Sequence, residues 1–101
     1  IASYHSGDNG YIIYSDGFKI QWGVLNFKNT EYRKTLNVTF SVKFSTTYYN
    51  ISGSHTHQQE AGDKGASWAV TERTTSRFKA YNGFENQESG GDKVYWLAVG
   101  Y

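Results

Sequence analysis

Cysteine is absent from the 101-residue sequence. Disulfides and thiolate metal sites are therefore excluded, and folding does not depend on an oxidising compartment. Methionine is absent too. A chain that starts at Ile1 is expected to be a piece of a longer product, and we read it as the C-terminal end, with Tyr101 as the stop. No apolar run approaches the roughly 20 residues that a membrane helix needs. No charged start followed by an apolar stretch marks a signal peptide. Excess charge of one sign is missing as well: 10 Lys and Arg face 9 Asp and Glu, for a net charge of +1. That balance argues against a strong nucleic-acid binder, which would carry a basic stripe. Sustained helical spacing is missing throughout. The expectation is one domain over residues 1–101, without membrane insertion and without a nucleic-acid partner. Such a chain buries roughly two-thirds of its unfolded surface, enough for a modest core.

What is abundant is aromatic. Nine Tyr, six Phe and three Trp make up 18% of the chain. Such rings bury large areas and bring a polar handle at the ring edge, which suits a β-sheet core, a protein interface or a sugar-binding surface. Period-2 patterning runs through the sequence. Leu36, Val38, Phe40, Val42 and Phe44 form one apolar stripe with polar residues between, which predicts a half-buried antiparallel strand. Phe18, Ile20, Trp22 and Val24 form a second. After Val24 the apolar phase shifts to Leu25 and Phe27, which predicts a bulge. Tyr11 to Tyr14 reads as a short strand joined to that stripe through Ser15-Asp16-Gly17, a hairpin signal. Further strands are expected at Ala2 to His5, Tyr48 to Ser52, Ser67 to Arg73, Arg77 to Tyr81 and Val94 to Gly100. The sum is an all-β antiparallel β-sandwich of about eight strands.

The last strand is apolar on both faces, with Val94, Trp96 and Ala98 on one and Tyr95, Leu97, Val99 and Tyr101 on the other. It needs cover on both sides, in mid-sheet or against a neighbouring subunit. The connections at Asp16-Gly17, Ser45 to Thr47 and Thr74 to Ser76 are tight. Those at Lys28 to Lys34, Gly53 to Ala66 and Asn82 to Lys93 are long, and long loops without structure of their own are usually functional. Tight and long connections alternate along the chain. If each reverses direction, the long loops and Ser6 to Gly10 share one end of the sandwich. The tight turns and Ile1 share the other.

Two motifs resemble a known family. Gly10-Tyr11-Ile12-Ile13-Tyr14-Ser15-Asp16-Gly17-Phe18-Lys19-Ile20-Gln21-Trp22-Gly23 resembles the opening of a C-terminal domain of bacteriophage tail fibres. Tyr95-Trp96-Leu97-Ala98-Val99-Gly100-Tyr101 resembles its closing strand, and Val38-Thr39-Phe40-Ser41-Val42-Lys43-Phe44 its central strand, although Ser41 stands where the familiar version has proline. The ordered set frames almost the whole chain. It implies a homotrimeric receptor-binding domain at the distal tip of a virion tail fibre, which recognises host lipopolysaccharide glycan or an outer-membrane protein. Bacteriocin fibres resemble the same family.

Several local patterns could carry chemistry. In an extended chain His55 and His57 point the same way. Three copies could offer six imidazole nitrogens to one axial metal, a use that some phage fibre tips resemble. The alternative is a polar loop in contact with solvent or sugar, and no metal or cofactor is expected. Glu60, Asp63, Glu85, Glu88 and Asp92 lie in the long loops, where paired carboxylates could hydrolyse glycosides. A domain this small offers no long cleft, so no enzymatic activity and no catalytic residue is expected. Sugar binding needs flat apolar rings and directional polar groups. Tyr32, Arg33, His57, Gln58, Asp63, Asn82, Phe84, Glu85 and Asn86 supply both, and are the expected receptor-binding residues. Trp22 and Trp96 read as structural, and Trp68 as core at a loop end. Two alternatives stay open: a free-standing sugar-binding lectin resembling the H type, and a trimerisation cap of the fibre that reads no receptor.

Overall fold

The computed structural model describes residues 1–27, 33–56, 68–83 and 93–101. Eight strands are present among them: β1 Ser3–His5, β2 Gly10–Ile13, β3 Lys19–Asn26, β4 Thr35–Thr39, β5 Asn50–Thr56, β6 Trp68–Arg73, β7 Arg77–Asn82 and β8 Lys93–Gly100. They form a five-stranded sheet, β1-β2-β3-β8-β5, and a three-stranded sheet, β4-β7-β6. Every pairing is antiparallel. The all-β, two-sheet expectation therefore holds, and each expected strand is found within a few residues.

The C-terminal strand lies inside the larger sheet, paired to β3 on one side and β5 on the other. Its final carbonyl is tied as well: the Ser45 amide donates to Tyr101 O at 2.7 Å, and Lys19 Nζ donates to it at 3.3 Å. Val94, Trp96 and Ala98 point into the core. They meet Val38, Phe78 and Ala80 of the smaller sheet, with Phe40, Phe44 and Tyr49 packed beside them. The rings interlock edge to face, Phe78 on Trp96 at 5.3 Å and Phe40 on Phe44 at 4.9 Å between centroids. Such offset contacts match the ring quadrupoles. Two indoles occupy space that only glycine leaves open. A Cβ on Gly23 would lie 2.6 Å from Trp96, and one on Gly53 would lie 2.7 Å from Trp68.

The structure corrects two expectations. No bulge interrupts β3, whose register with β8 runs unbroken from Lys19↔Gly100 to Asn26↔Lys93. The inward residues are instead Gln21, Gly23, Leu25 and Phe27, all buried. Ile20, Trp22 and Val24 face the opposite way. No phase slip is needed, because both faces of this strand are largely apolar. Gln21 overrides its own polarity: it is 1% exposed, and its side-chain amide donates to Val42 O and accepts from Val42 N. The irregularity lies elsewhere, in β6 against β7 between Val70 and Glu72. The second correction concerns the stripe from Leu36 to Phe44. Its core side holds, since Val38, Phe40 and Phe44 are buried, but the ladder stops at Thr39. Beyond it the chain is held by the turn around residue 75, through Phe40 N to Ser76 O and Phe44 N to Thr75 O, both 2.9 Å. Gln21 takes the polar groups of Val42 between these two ties.

Candidate functional site

The connections 14–18, 40–49 and 74–76 meet at one end of the sandwich; the first and last are tight, whereas the one expected to turn at Ser45 to Thr47 is extended by the early end of β4 at Thr39. The β2–β3 hairpin turns on Gly17, which has φ 95°, a left-handed conformation that glycine adopts without strain. Asp16 Oδ1 accepts from Phe18 N at 3.0 Å and closes the turn. Tyr101 reaches this hairpin, with its ring 5.4 Å from Phe18 and its hydroxyl 3.4 Å from Asp16 Oδ2. The segments before β5 and after β6 arrive at the same end, joined by the Tyr49 hydroxyl, which donates to Thr74 O at 2.6 Å. Burial raises the Tyr49 pKa, and the Arg73 guanidinium partly opposes that rise.

The ends of the long connections meet at the other end. Asn26, Lys93 and Thr56 are aligned across β3, β8 and β5. In the smaller sheet Trp68 pairs with Asn82, and Asn82 exchanges backbone hydrogen bonds with Arg33 and Lys34 at 2.9 and 2.8 Å. The connections expected to be long thus leave and return at one end, because each connection reverses direction. The strict alternation of tight and long fails, since the β4–β5 connection, expected to turn tightly at Ser45 to Thr47, spans 40–49. β8 lies between β3 and β5, so the strand order is not a simple meander.

Of the expected receptor-binding residues, Tyr32, His57, Gln58, Asp63, Phe84, Glu85 and Asn86 lie outside the described residues. Arg33 and Asn82 are described and stand side by side. Arg33 takes a left-handed backbone, φ 68°, unusual for a residue with a Cβ. Asn82 is fully buried, which removes it from direct contact with a large ligand and makes it the strut under the loop ends. Trp68 is half-buried against the core, as expected. Trp96 is core. Trp22 is structural too, but on the outer face, where its indole Nε1 donates to Gly7 O at 2.9 Å. His55 lies at the exposed end of β5; its suggested metal partner His57 is outside the described residues. No group of three or more metal-ligating side chains occurs among the described residues.

Sequence reasoning did not single out the turn end. Tyr14, Ser15, Asp16, Phe18 and Tyr101 line an open cup of about 520 Å³. Its members come from a hairpin and from a residue 85 positions away, so no local spacing could have shown it. A second depression of about 360 Å³ lies on the outer face of the five-stranded sheet, where Trp22, Val24, Tyr95 and Leu97 contribute to its lining. That outer face is apolar and only partly covered, with Tyr95 48% and Leu97 42% exposed. Here β3 brings Ile20, Trp22 and Val24 opposite Val99, Leu97 and Tyr95.

A two-sheet antiparallel domain with an aromatic closing strand and loop ends collected at one end is the architecture of a phage-type tail-fibre terminus. The chain belongs to the family described as putative tail fiber protein gp53-like, C-terminal, whose model matches residues 13–101. Among solved structures it is similar to an N-truncated R2-type pyocin tail fiber, with 22% identity and a TM-score of 0.77 over 98% of this chain and 37% of that one. It is also similar to an N-truncated R1-type pyocin tail fiber, at 14% identity and a TM-score of 0.73, covering 98% of this chain and 84% of that one. A C-terminal piece of the P. aeruginosa R1 pyocin fiber matches at 14% identity and a TM-score of 0.66, over 98% of this chain and 28% of that one. The chain thus spans about 37% of the R2-type fibre chain. No curated protein matches.

Proposed function

We propose that this tail-fibre domain is the receptor-binding tip of its fibre and works as a homotrimer. It binds host cell-surface glycan or an outer-membrane protein, and acts by binding rather than by catalysis. The observation that carries the reading is the gathering of the long-connection ends at one end, around Asn26, Lys93 and Thr56 in one sheet and Arg33, Asn82 and Trp68 in the other. The opposite end is closed by the turns 14–18 and 74–76 and by the connection 40–49, which is tied down through Gln21 and the turn at Thr75 and Ser76. Such a division gives a fixed scaffold and a separate surface for recognition.

The trimer is supported by the outer face of the five-stranded sheet. Large contiguous apolar patches on monomeric proteins are uncommon, and Tyr95 and Leu97 stand 48% and 42% exposed on the strand with the largest apolar content. A neighbouring copy would supply the second cover that this strand needs. Three tips per fibre, and several fibres per particle, would multiply a weak single-site affinity.

Sedimentation of the protein at micromolar concentration, paired with an adsorption assay on host cells, tests both halves. The expected result is a trimer whose Leu97→Lys variant dissociates. Tyr32→Ala, Arg33→Ala or His57→Ala should lower adsorption with the trimer intact. A monomer refutes the assembly. Unchanged adsorption for all three loop variants refutes the receptor site.

A further inference from the structure

Tyr48 is the most exposed of the large apolar residues among those described, at 91%. It donates nothing from its hydroxyl, and its backbone is fixed by Thr46 Oγ1 at 3.2 Å. Its position follows from the start of β5. Asn50 pairs with Val99, and Tyr49 is buried with its Cβ against Gly100. The ladder ends at Asn50, so Tyr48 lies just before the start of β5, exposed beside the buried Tyr49 and at the same end of the sheet as Tyr101, whose carbonyl accepts from Ser45 N. Phe18 and Tyr14 follow on the other side of Tyr101, with ring centroids 5.4 Å and 6.0 Å apart in turn. The row of rings is therefore Tyr14, Phe18, Tyr101, with Tyr48 on the β5 side of it. The cup opens at the β2–β3 side of the row, and the lone tyrosine stands at the β5 side.

We propose that Tyr48 of one copy inserts into the Tyr14–Phe18–Tyr101 cup of the next copy. The inference rests on the trimer reading above. A closed ring needs two different, complementary patches on opposite sides of each subunit. Tyr48 at the start of the edge strand β5 and the cup at the β2–β3 hairpin are such a pair, on opposite sides of β8 and at the same end of the sheet. A cup of about 520 Å³ takes a phenol ring with room to spare. The chemistry matches as well. Tyr101 leans toward the hairpin to reach Asp16, away from Tyr48. Asp16 Oδ2 has only that one long bond at 3.4 Å and is open to a second phenol hydroxyl. The cup side carries the Asp16 carboxylate, while on the β5 side the Arg73 cation of the smaller sheet is held by the Tyr49 ring at 5.2 Å and by Tyr49 O. Lys19 on the cup side is turned onto the carbonyls of Gly17 and Tyr101. Insertion of one tyrosine buries about 200 Å², about a quarter of the roughly 800 Å² that a stable interface covers on each partner.

Within one chain, Tyr48 and Tyr14 are three strand spacings apart, about 14 Å at about 4.8 Å each. A short crosslink between them therefore reports a neighbour. Tyr48 is replaced by the photo-crosslinker p-benzoylphenylalanine in a mixture of ¹⁵N-labelled and unlabelled protein, and the irradiated sample is read by mass spectrometry. The expected result is an adduct joining position 48 of one copy to residues 14–18 of another, with covalent species ending at three chains. Tyr48→Ala should weaken association at least tenfold, and Tyr48→Phe should keep most of it. A trimer whose adducts map elsewhere overturns the knob and cup but leaves the trimer. A monomer overturns both.

Discussion

Replacing Gln21 with leucine tests the account of why β3 turns its unexpected face inward. The amide of Gln21 satisfies both backbone groups of Val42, and the side chain is 1% exposed. In Gln21→Leu both groups lose their partner. Each buried group left unsatisfied costs about 1–3 kcal/mol. The Val42 pair is part-buried, so the lowest part of that range applies, about 1–1.5 kcal/mol each and about 2–3 kcal/mol for the two. Leucine returns part of this by burying apolar surface, about 1 kcal/mol. The net loss is about 1–2 kcal/mol, which lowers Tm by about 5–15 °C in a domain of this size. Urea unfolding at one fixed protein concentration measures it, since assembly makes apparent stability depend on concentration. Amide exchange at Val42 gives a local readout, slow in the parent and fast in the variant. A variant as stable as the parent, with the Val42 amide still protected, would refute the clamp. The inward turn of Gln21 would then need another cause.

Three further outcomes follow from the packing and the charges. Gly23→Ala places a Cβ 2.6 Å from the Trp96 indole, an overpacking that should cost about 1–3 kcal/mol in urea unfolding; a neutral effect would mean that the indole shifts freely. Burial raises the Tyr49 pKa above its ordinary value, so the unfolded chain releases this proton first as pH rises. Stability from Tyr49 is full below about pH 10 and falls as pH climbs through the folded value, so the alkaline decline should be shallower in Tyr49→Phe. Glu72→Gln removes the contacts to Arg77 at 3.3 Å and Lys79 at 3.6 Å. All three groups are well exposed, so the change should stay within about 1 kcal/mol, and a larger loss would mark a network.

Strand positions were legible because period-2 alternation survives wherever one face is buried and the other is wet, as in β4, where Val38 is buried between the exposed Asn37 and Thr39. The facing of β3 was not, because both of its faces carry apolar residues and the deciding contact is a glutamine 21 residues from its partner. The end of β4 at Thr39 was hidden for a similar reason. Phe40 and Phe44 keep the core pattern after the ladder has stopped, and the ties that hold them come from the turn at Thr75 and Ser76. For the site, the grouping of the connections could be read from reversal of direction at each one, although the β4–β5 connection at 40–49 is longer than the turn expected at Ser45 to Thr47. Asn82 was expected among the receptor-binding loop residues, and its burial was not legible because its main chain crosses Arg33 and Lys34, segments that only the fold brings together. The cup needed Tyr101 to meet a hairpin 85 residues away, and no pattern along the chain encodes that meeting.

The long connections are anchored by main-chain ladders, Asn26–Lys93–Thr56 in one sheet and the Arg33/Lys34–Asn82–Trp68 crossing in the other. Amide groups recur in every sequence, so these anchors place few demands on the residues strung between them. On the receptor-tip reading proposed above, such a fibre can exchange whole stretches of its contact surface, length included, while the frame beneath stays as it was. The domain is arranged as a socket for interchangeable parts, and transplanting such stretches between fibres is an engineering route that it leaves open.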